Sequence, residues 1–477
     1  MPDVTEVDIG AVNPERFSAV LTAEQMSLLR EAVAEGRATL HGRTVWNVNS
    51  TAQGGGVAEM LSSMLPYARG AGVDTRWLVI GGDDGFFTIT KRIHNRLHGA
   101  PGDGKRLGED DRRHYEAALA PQAAWIAERV RPDDVVILHD PQTAGLVPLL
   151  TATGAGVIWR CHVGIDTPND AARDTWSFLL PYVRPADICI FSRRGFAWDG
   201  LDDDRIRVVA PSIDPFSSKN FEMDVASIQA ILEAAGIMDD GGREPATYTR
   251  ADGSIAHVRH RAAMVEASRI GTETPLVVQV SRWDRLKDPL GVLEGFIGNV
   301  AGNGGAHLVL AGPSVAEVSD DPEGAAAYEE VALRWNSLDD ALKARVHLAC
   351  LPMDDDRENA AMVNALQRRA QVVVQKSVGE GFGLTVAEAM WKTRPVVASR
   401  VGGIQDQIDD GVSGILLDDP HDPVAFGEAV CGVLLDGARA AAMGRNAHAR
   451  VQQHFLGSRH LAQYVQICGE VVGATGR

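Results

Sequence analysis

Two glutamates stand eight residues apart across a glycine-rich turn, in Gly379-Glu380-Gly381-Phe382-Gly383-Leu384-Thr385-Val386-Ala387-Glu388, and no other string in the chain is better suited to chemistry. Residues 371–375, Gln-Val-Val-Val-Gln, read as a short buried strand before the turn, and residues 384–391 read as a helix after it. The glycines let the backbone approach a ligand closely, and the amides of Gly383, Leu384 and Thr385 would open the helix, where unpaired N–H groups favour phosphate. Glu380 precedes those amides and Glu388 follows them by about a turn of helix. One carboxylate can accept hydrogen bonds from hydroxyls at one end of a diphosphate ligand, the other from hydroxyls at the far end. The plainer reading of the string is a glycine cap followed by an ordinary amphipathic helix.

A basic pocket for such an anion is found in Ser281-Arg282-Trp283-Asp284-Arg285-Leu286-Lys287-Asp288, directly after an expected strand at 276–280. Arg282 can grip phosphate oxygens bidentately and Lys287 can supply a compact charge, both of which a departing diphosphate needs. Alternatively these are exposed charges paired with Asp284 and Asp288. Nearer the N-terminus, Asn49-Ser50-Thr51-Ala52-Gln53-Gly54-Gly55-Gly56 runs from a strand into a helix, so Gly54, Gly55 and Gly56 could close over a phosphate or form a tight turn with no ligand. This is not G-x-G-x-x-G, and no acidic ribose partner follows at dinucleotide spacing, which leaves NAD binding weakly supported. Two further strand ends carry polar side chains suited to sugar hydroxyls, His139-Asp140-Pro141-Gln142 and Trp159-Arg160-Cys161-His162. Asn49, Asp140 and Gln142 are the candidates for an acceptor side, although a lone histidine such as His162 often serves packing alone. Residues 86–99, led by Phe86 and Phe87 and rich in basic groups, read as a packing helix.

Elements that would position these residues recur in two series. Expected strands at 44–48, 76–80, 135–138, 157–161 and 188–191 alternate with helical stretches, and a second set lies at 276–280, 307–310, 346–349, 372–375 and 396–398. Pro211-Ser212-Ile213-Asp214-Pro215 separates them, which predicts an α/β chain of two Rossmann-like doubly wound domains built on parallel sheets. Residues 1–213 form the first and 214–454 the second. Residues 239–273 have no clear periodicity and read as a long loop or surface insertion. Against 46 lysines and arginines the chain has 64 aspartates and glutamates, a formal net charge of −18, which opposes binding to nucleic acid or an anionic membrane. Five scattered cysteines without a C-x-x-C pair predict neither a disulfide framework nor a zinc site. An acidic start and the lack of any long apolar run predict a cytoplasmic protein.

The E-x7-E string resembles the signature of retaining GT-B glycosyltransferases of family GT4, which implies two Rossmann-like domains facing an interdomain cleft and a C-terminal helix, here about 455–477, that returns to the first domain. In that family the first glutamate, here Glu380, contacts the donor sugar and the second, here Glu388, holds the nucleotide ribose. The R-x-x-x-x-K spacing of Arg282 and Lys287 is similar to the family's diphosphate grip, and His162 matches a position near the donor hexose. Together with N-S-T-x-x-G-G-G-V-A-E, H-D-P-Q and W-R-C-H, the first half looks like that of the trehalose glycosyltransferring synthases and the related retaining trehalose phosphorylases. Residues 239–273, longer than the usual connection, and an extra Gly164 depart from the pattern and bear on the acceptor. The resemblance implies a retaining transfer of glucose from a nucleoside-diphosphate glucose to glucose, giving trehalose. Arg282, Lys287, Glu380 and His162 would be its catalytic residues. Gly54, Gly55, Gly56, Gly381, Phe382, Gly383, Leu384, Thr385 and Glu388 would bind the donor. Expected partners are the nucleotide sugar and a small sugar acceptor, with a homodimer allowed. No cofactor or protein-bound metal is expected, Mg2+ entering only through the diphosphate. Phosphorolysis, another acceptor such as a cyclitol or secondary metabolite, and a non-catalytic binding module are the alternatives.

Overall fold

A computed structural model describes residues 3–53, 55–239, 245–250, 252–315 and 322–474. The chain divides into two compact units, Met1–Ser212 with Phe455–Arg477, and Ile213–His454.

In the first unit, strands β1 (Val4–Val7), β2 (Thr44–Asn49), β3 (Asp74–Ile80), β4 (Val135–His139), β5 (Gly156–Cys161), β6 (Ile188–Phe191) and β7 (Ile206–Val208) form one sheet in the order β1-β3-β2-β4-β5-β6-β7. Apolar residues occupy successive positions along the central strands because both faces are covered. Trp46, Val48, Val136, Leu138, Val157 and Trp159 point into one core with Phe86, Tyr115 and Phe178. Their neighbours Val45, Val135, Ile137 and Ile158 face the other side, where Tyr464, Ile467, Cys468 and Val471 of the final helix, Gly457–Ala474, pack on them. Arg160, fully buried on β5, donates to His460 Nε2 at 2.8 Å, and the His460 ring is 2.8 Å from Ser212 Oγ, so this helix is also fastened by polar contacts.

The second unit repeats the plan. It contains a hairpin, β8 (Thr247–Thr249) with β9 (Ile255–His257), and a sheet of β10 (Ala263–Val265), β11 (Leu276–Val280), β12 (His307–Pro313), β13 (Val346–Leu351), β14 (Val372–Gln375), β15 (Val396–Ser399) and β16 (Ile415–Leu417). The order is β10-β13-β12-β11-β14-β15-β16.

Two expectations need correction. The sheets are not wholly parallel, since β1 runs antiparallel to β3 and β10 antiparallel to β13 at their edges. Nor are residues 239–273 a plain loop. Their described part forms the β8–β9 hairpin and β10, and the amides of Arg259 and His260 both donate to the Glu358 carboxylate at 2.6 Å. Tertiary pairing supplies what the short, polar segment lacks in periodicity.

Helix Asp84–Leu97 is amphipathic, and its basic character is spent on structure. Arg92 pairs with Asp103 and Asp111, Arg96 with Asp174, and Phe86 stacks on Tyr115.

Candidate functional site

Strand order locates the two candidate regions. In the second sheet β12 and β13 lie on one side of β11, and β14 to β16 on the other, so the chain reverses its direction of winding between β11 and β14. Loops leaving the carboxyl ends of two such strands diverge and leave a crevice where open α/β sheets bind ligands. The loop after β11 carries Arg282 and Lys287; the loop after β14 carries Glu380.

Internal hydrogen bonds hold both loops. Gln279 on β11 donates to Lys287 O at 2.7 Å, and Val378 N donates to Leu286 O at 2.9 Å, which ties one loop to the other. Trp283 is buried, its indole donating to Pro313 O at 2.9 Å. Asp284 Oδ1 accepts from Leu286 N, and Asp288, in the left-handed region at φ 49°, accepts from Gly291 N as the cap of helix Pro289–Gly295. With the aspartates used this way, Lys287 does not pair with Asp288. Its ammonium instead contacts the Glu380 carboxylate, and Asp288 pairs with the buried Lys376. Arg282 is largely exposed, 3.3 Å from Asp284.

Gly383, at φ 82°, caps helix Leu384–Trp391, and the amides of Leu384 and Thr385 lie in its first turn, where no helical carbonyl precedes them. The turn before it is fixed by groups that sequence reasoning missed. Buried Gln407 donates to Phe382 O at 2.6 Å and Gly383 O at 3.2 Å. A Cβ on Gly402 would lie 1.7 Å from Glu380 O, and one on Gly403 would lie 2.6 Å from the Phe382 ring. The Gly402-Gly403 pair just past β15 was the available sequence signal for this close backbone approach. Gly381 and Phe382 therefore sit in a braced turn. Glu388, on the helix, is buried, with Lys219 Nζ 3.6 Å from its Oε1.

The first sheet has its own reversal, between β2 and β4. Asn49, at the end of β2, is buried with its amide already engaged: it donates to Thr51 O at 2.7 Å and accepts from the Trp77 indole at 2.8 Å. It braces the loop toward Gly55 and Gly56. Gly55 takes φ 83° as it caps helix Gly56–Gly70, while Gly54 lies outside the described residues.

At the end of β4, Asp140 has φ 64°, a backbone conformation unusual for a residue with a side chain. Its carboxylate accepts from His162 N at 2.8 Å and its carbonyl from the Trp159 indole at 3.1 Å, which joins the ends of β4 and β5. Burial pushes its pKa up to about 6, partly opposed by the His162 amide and Arg160. Asn47, His139 and His162 form a chain: His139 Nε2 is 3.2 Å from Asn47 Oδ1, and its Nδ1 is 3.4 Å from His162 Nε2, with the rings stacked. Burial, with Arg160 nearby, pushes His139 down to about 3 and His162 well below the usual histidine range, so both rings are neutral at pH 7. Gln142 Oε1 is buried without a hydrogen-bond partner among the described residues. A neutral cluster with donors and acceptors fixed in direction suits sugar hydroxyls, while the charged loops of the second unit suit a phosphorylated ligand.

Among the described residues no group of three or more His, Cys, Asp or Glu side chains is placed to hold a metal ion, and no helix is long and apolar enough to cross a membrane.

The architecture is the GT-B glycosyltransferase fold. It aligns with the α,α-trehalose-phosphate synthase (UDP-forming) of Burkholderia vietnamiensis at a TM-score of 0.65 and 16% identity, covering 91% of this chain and 98% of that one. Residues 47–198 match the trehalose synthase N-terminal domain family, and residues 261–450 match glycosyl transferases group 1. The chain is 33% identical to the trehalose synthase of Pyrococcus horikoshii over 473 residues, 99% of this chain and 100% of that protein. It is 35% identical to that of Rubrobacter xylanophilus over 438 residues, 91% of this chain and 92% of that one. The chain belongs to the trehalose synthase family of glycosyltransferases.

Proposed function

We propose that this glycosyltransferase moves glucose, with retention, from a nucleoside-diphosphate glucose to the anomeric hydroxyl of a second glucose, forming trehalose. The observation that carries the reading is the meeting of Lys287 and Glu380 at the reversal between β11 and β14, with Glu388 on the helix that follows. An ammonium beside a carboxylate is what a site needs if it must hold a diphosphate and also orient the sugar bonded to it. Supporting it, relatives that align over nine-tenths or more of the chain are named trehalose synthases, and the fold neighbour's name denotes a UDP-forming reaction.

In this reading Lys287, Arg282 and the first-turn amides of Leu384 and Thr385 stabilise charge developing on the leaving phosphate. Glu380 orients the hexose, and Glu388 accepts the ribose hydroxyls. The turn of Gly381, Phe382 and Gly383 admits the diphosphate. Asp140 and Gln142 serve the acceptor, and Asn49 shapes their surroundings. The acceptor oxygen attacks from the face the phosphate leaves, and the leaving phosphate oxygen takes its proton. No protein carboxylate need form a covalent intermediate. Mg2+ would enter with the diphosphate, not on protein ligands.

Incubating the protein with UDP-, ADP- and GDP-glucose and with glucose, then resolving the product by nuclear magnetic resonance, tests this. An α,α-1,1 linkage is expected. Another linkage, or reaction only with a different acceptor, defeats the trehalose assignment. Glucose release from trehalose that needs inorganic phosphate and no nucleotide would make the enzyme a phosphorylase.

A further inference from the structure

The segment at 214–222, where the chain enters the second unit, does more than connect. Helices Asp356–Arg369 and Leu384–Trp391 hold it through a buried polar mesh. Arg368 donates to the carbonyls of Asn220 at 3.1 Å and Phe221 at 3.0 Å, and pairs with Glu222 at 2.8 Å. Asn364, fully buried, donates to Ser218 O at 3.0 Å and Phe221 O at 2.8 Å. Asn220 turns back to donate to Asp214 O at 3.0 Å. Lys392, 1% exposed, also reaches the segment: its ammonium donates to Asn220 Oδ1 at 3.0 Å, Gln367 Oε1 at 2.8 Å and Glu388 O at 3.1 Å.

This mesh has one functional consequence. It fixes the backbone on both sides of Lys219 and brings that ammonium to 3.6 Å from Glu388 Oε1. Glu388 is thus held at both ends, its carbonyl by Lys392 and its carboxylate by Lys219, and Asn220 links the two lysines. Only 5% of the Glu388 side chain is exposed, so a cation packed against its carboxylate helps to set the direction in which it points.

We propose that the segment at 214–222 is part of the donor site and that Lys219 is a positioning residue for Glu388, keeping its carboxylate aimed for the ribose hydroxyls. This rests on the reading of Glu388 given under Proposed function. Because Lys219 acts on the ribose end and not at the bond being broken, its loss raises the donor KM and leaves kcat nearly intact. A purely structural lysine would instead lower the amount of folded enzyme and leave the KM of what remains unchanged.

The test compares Lys219→Met, Lys219→Arg, Glu388→Gln and the Lys219→Met/Glu388→Gln double variant. Each is titrated with UDP, ADP and GDP by calorimetry and assayed with the matching glucose donor. Lys219→Met is expected to weaken nucleotide binding and raise donor KM about tenfold, the size of a lost contact to a charged group, with kcat within about twofold. Lys219→Arg is expected to restore most of the affinity, and Lys219→Met to add nothing in the Glu388→Gln background. Unchanged affinity in Lys219→Met, with a clear loss in Glu388→Gln, overturns the role of Lys219 and leaves the ribose assignment standing. An equal loss from Lys219→Met in both backgrounds also overturns it, because the lysine would then not act through Glu388. Unchanged affinity in Glu388→Gln overturns the ribose assignment itself and this inference with it. Should Lys219→Met fail to fold, Lys219→Gln puts the same question with a polar side chain.

Discussion

The two sheets reverse their winding at equivalent places and furnish them oppositely. At the first reversal, between β2 and β4, the polar groups are bonded to one another and mostly neutral: Asn47, His139 and His162 form an uncharged chain at pH 7, and the Asp140 carboxyl beside them has its pKa raised to about 6. At the second, between β11 and β14, they are ions in pairs, Lys287 with Glu380 and Lys376 with Asp288, with Lys219 beside Glu388 on the next helix. The same backbone architecture therefore does not dictate chemistry. Neutral groups pre-aligned by burial read hydroxyl geometry, while paired ions can be re-partnered by an incoming anion at modest cost.

Removing Lys287 tests this contrast most severely. Lys287→Ala is expected to lower turnover by about 10²-fold or more, the usual cost of losing a contact to developing charge, with much less effect on thermal stability. Near-normal turnover would end the assignment of the second reversal to the leaving diphosphate. The equivalent change in the first unit, Asp140→Asn, is expected to raise the acceptor KM about tenfold and leave donor KM unchanged, since it removes the carboxylate that stands beside the neutral histidines. If donor KM rises instead, the division of labour between the two regions fails.

Smaller effects sharpen the comparison through pH. Native His139, with a pKa of about 3, stays neutral where the unfolded chain's histidine protonates below about 6.5. Its contribution to stability is present at pH 7 and is lost progressively as pH falls through that window. Asp140 works the other way: its raised pKa of about 6 gives a contribution present in acid and lost as pH rises through 6. At pH 5 the histidine term costs about 2 kcal/mol and the aspartate term returns about 1, leaving a net loss. Melting temperatures at pH 7 and pH 5 are therefore expected to differ less in His139→Asn than in the parent. An equal drop in both would show that His139 does not titrate on unfolding. The ion pairs of the second unit should show instead as sensitivity of donor binding to salt, expected to be several-fold greater than that of acceptor binding between low and high ionic strength.

Central strands were legible from sequence because a strand buried on both faces is a continuous run of β-branched and other apolar residues. Expected runs at 188–191, 276–280 and 372–375 coincide with Ile188–Phe191, Leu276–Val280 and Val372–Gln375. The strands not anticipated lie mostly at edges, such as Val4–Val7, Ala263–Val265 and Ile415–Leu417, which are short and partly exposed and gain their structure from the neighbour they pair with. At the site, Gly381 and Gly383 announced the turn, and Glu380 and Glu388 announced its carboxylates. Of the braces, only the Gly402-Gly403 pair left a mark in the sequence; Gln407 looks ordinary until the fold brings it against that turn.

Residue type and local spacing alone determined the strand-turn-helix unit around Glu380, the apolar runs that become two sheets, and the excess of acid that confines anion binding to local basic pockets. These properties are carried by neighbours in the chain, where backbone geometry converts spacing directly into direction. Which charges meet was decided only by tertiary structure. Asp288 lies next to Lys287 in sequence, yet its side chain is committed to capping a helix and to Lys376, and Lys287 finds Glu380 across the reversal between β11 and β14. Lys219 likewise reaches Glu388 only because a buried mesh of Asn220, Asn364, Arg368 and Lys392 holds its segment against the helix. Ion pairing depends on distance through space and on burial, and neither can be read from separation along the chain.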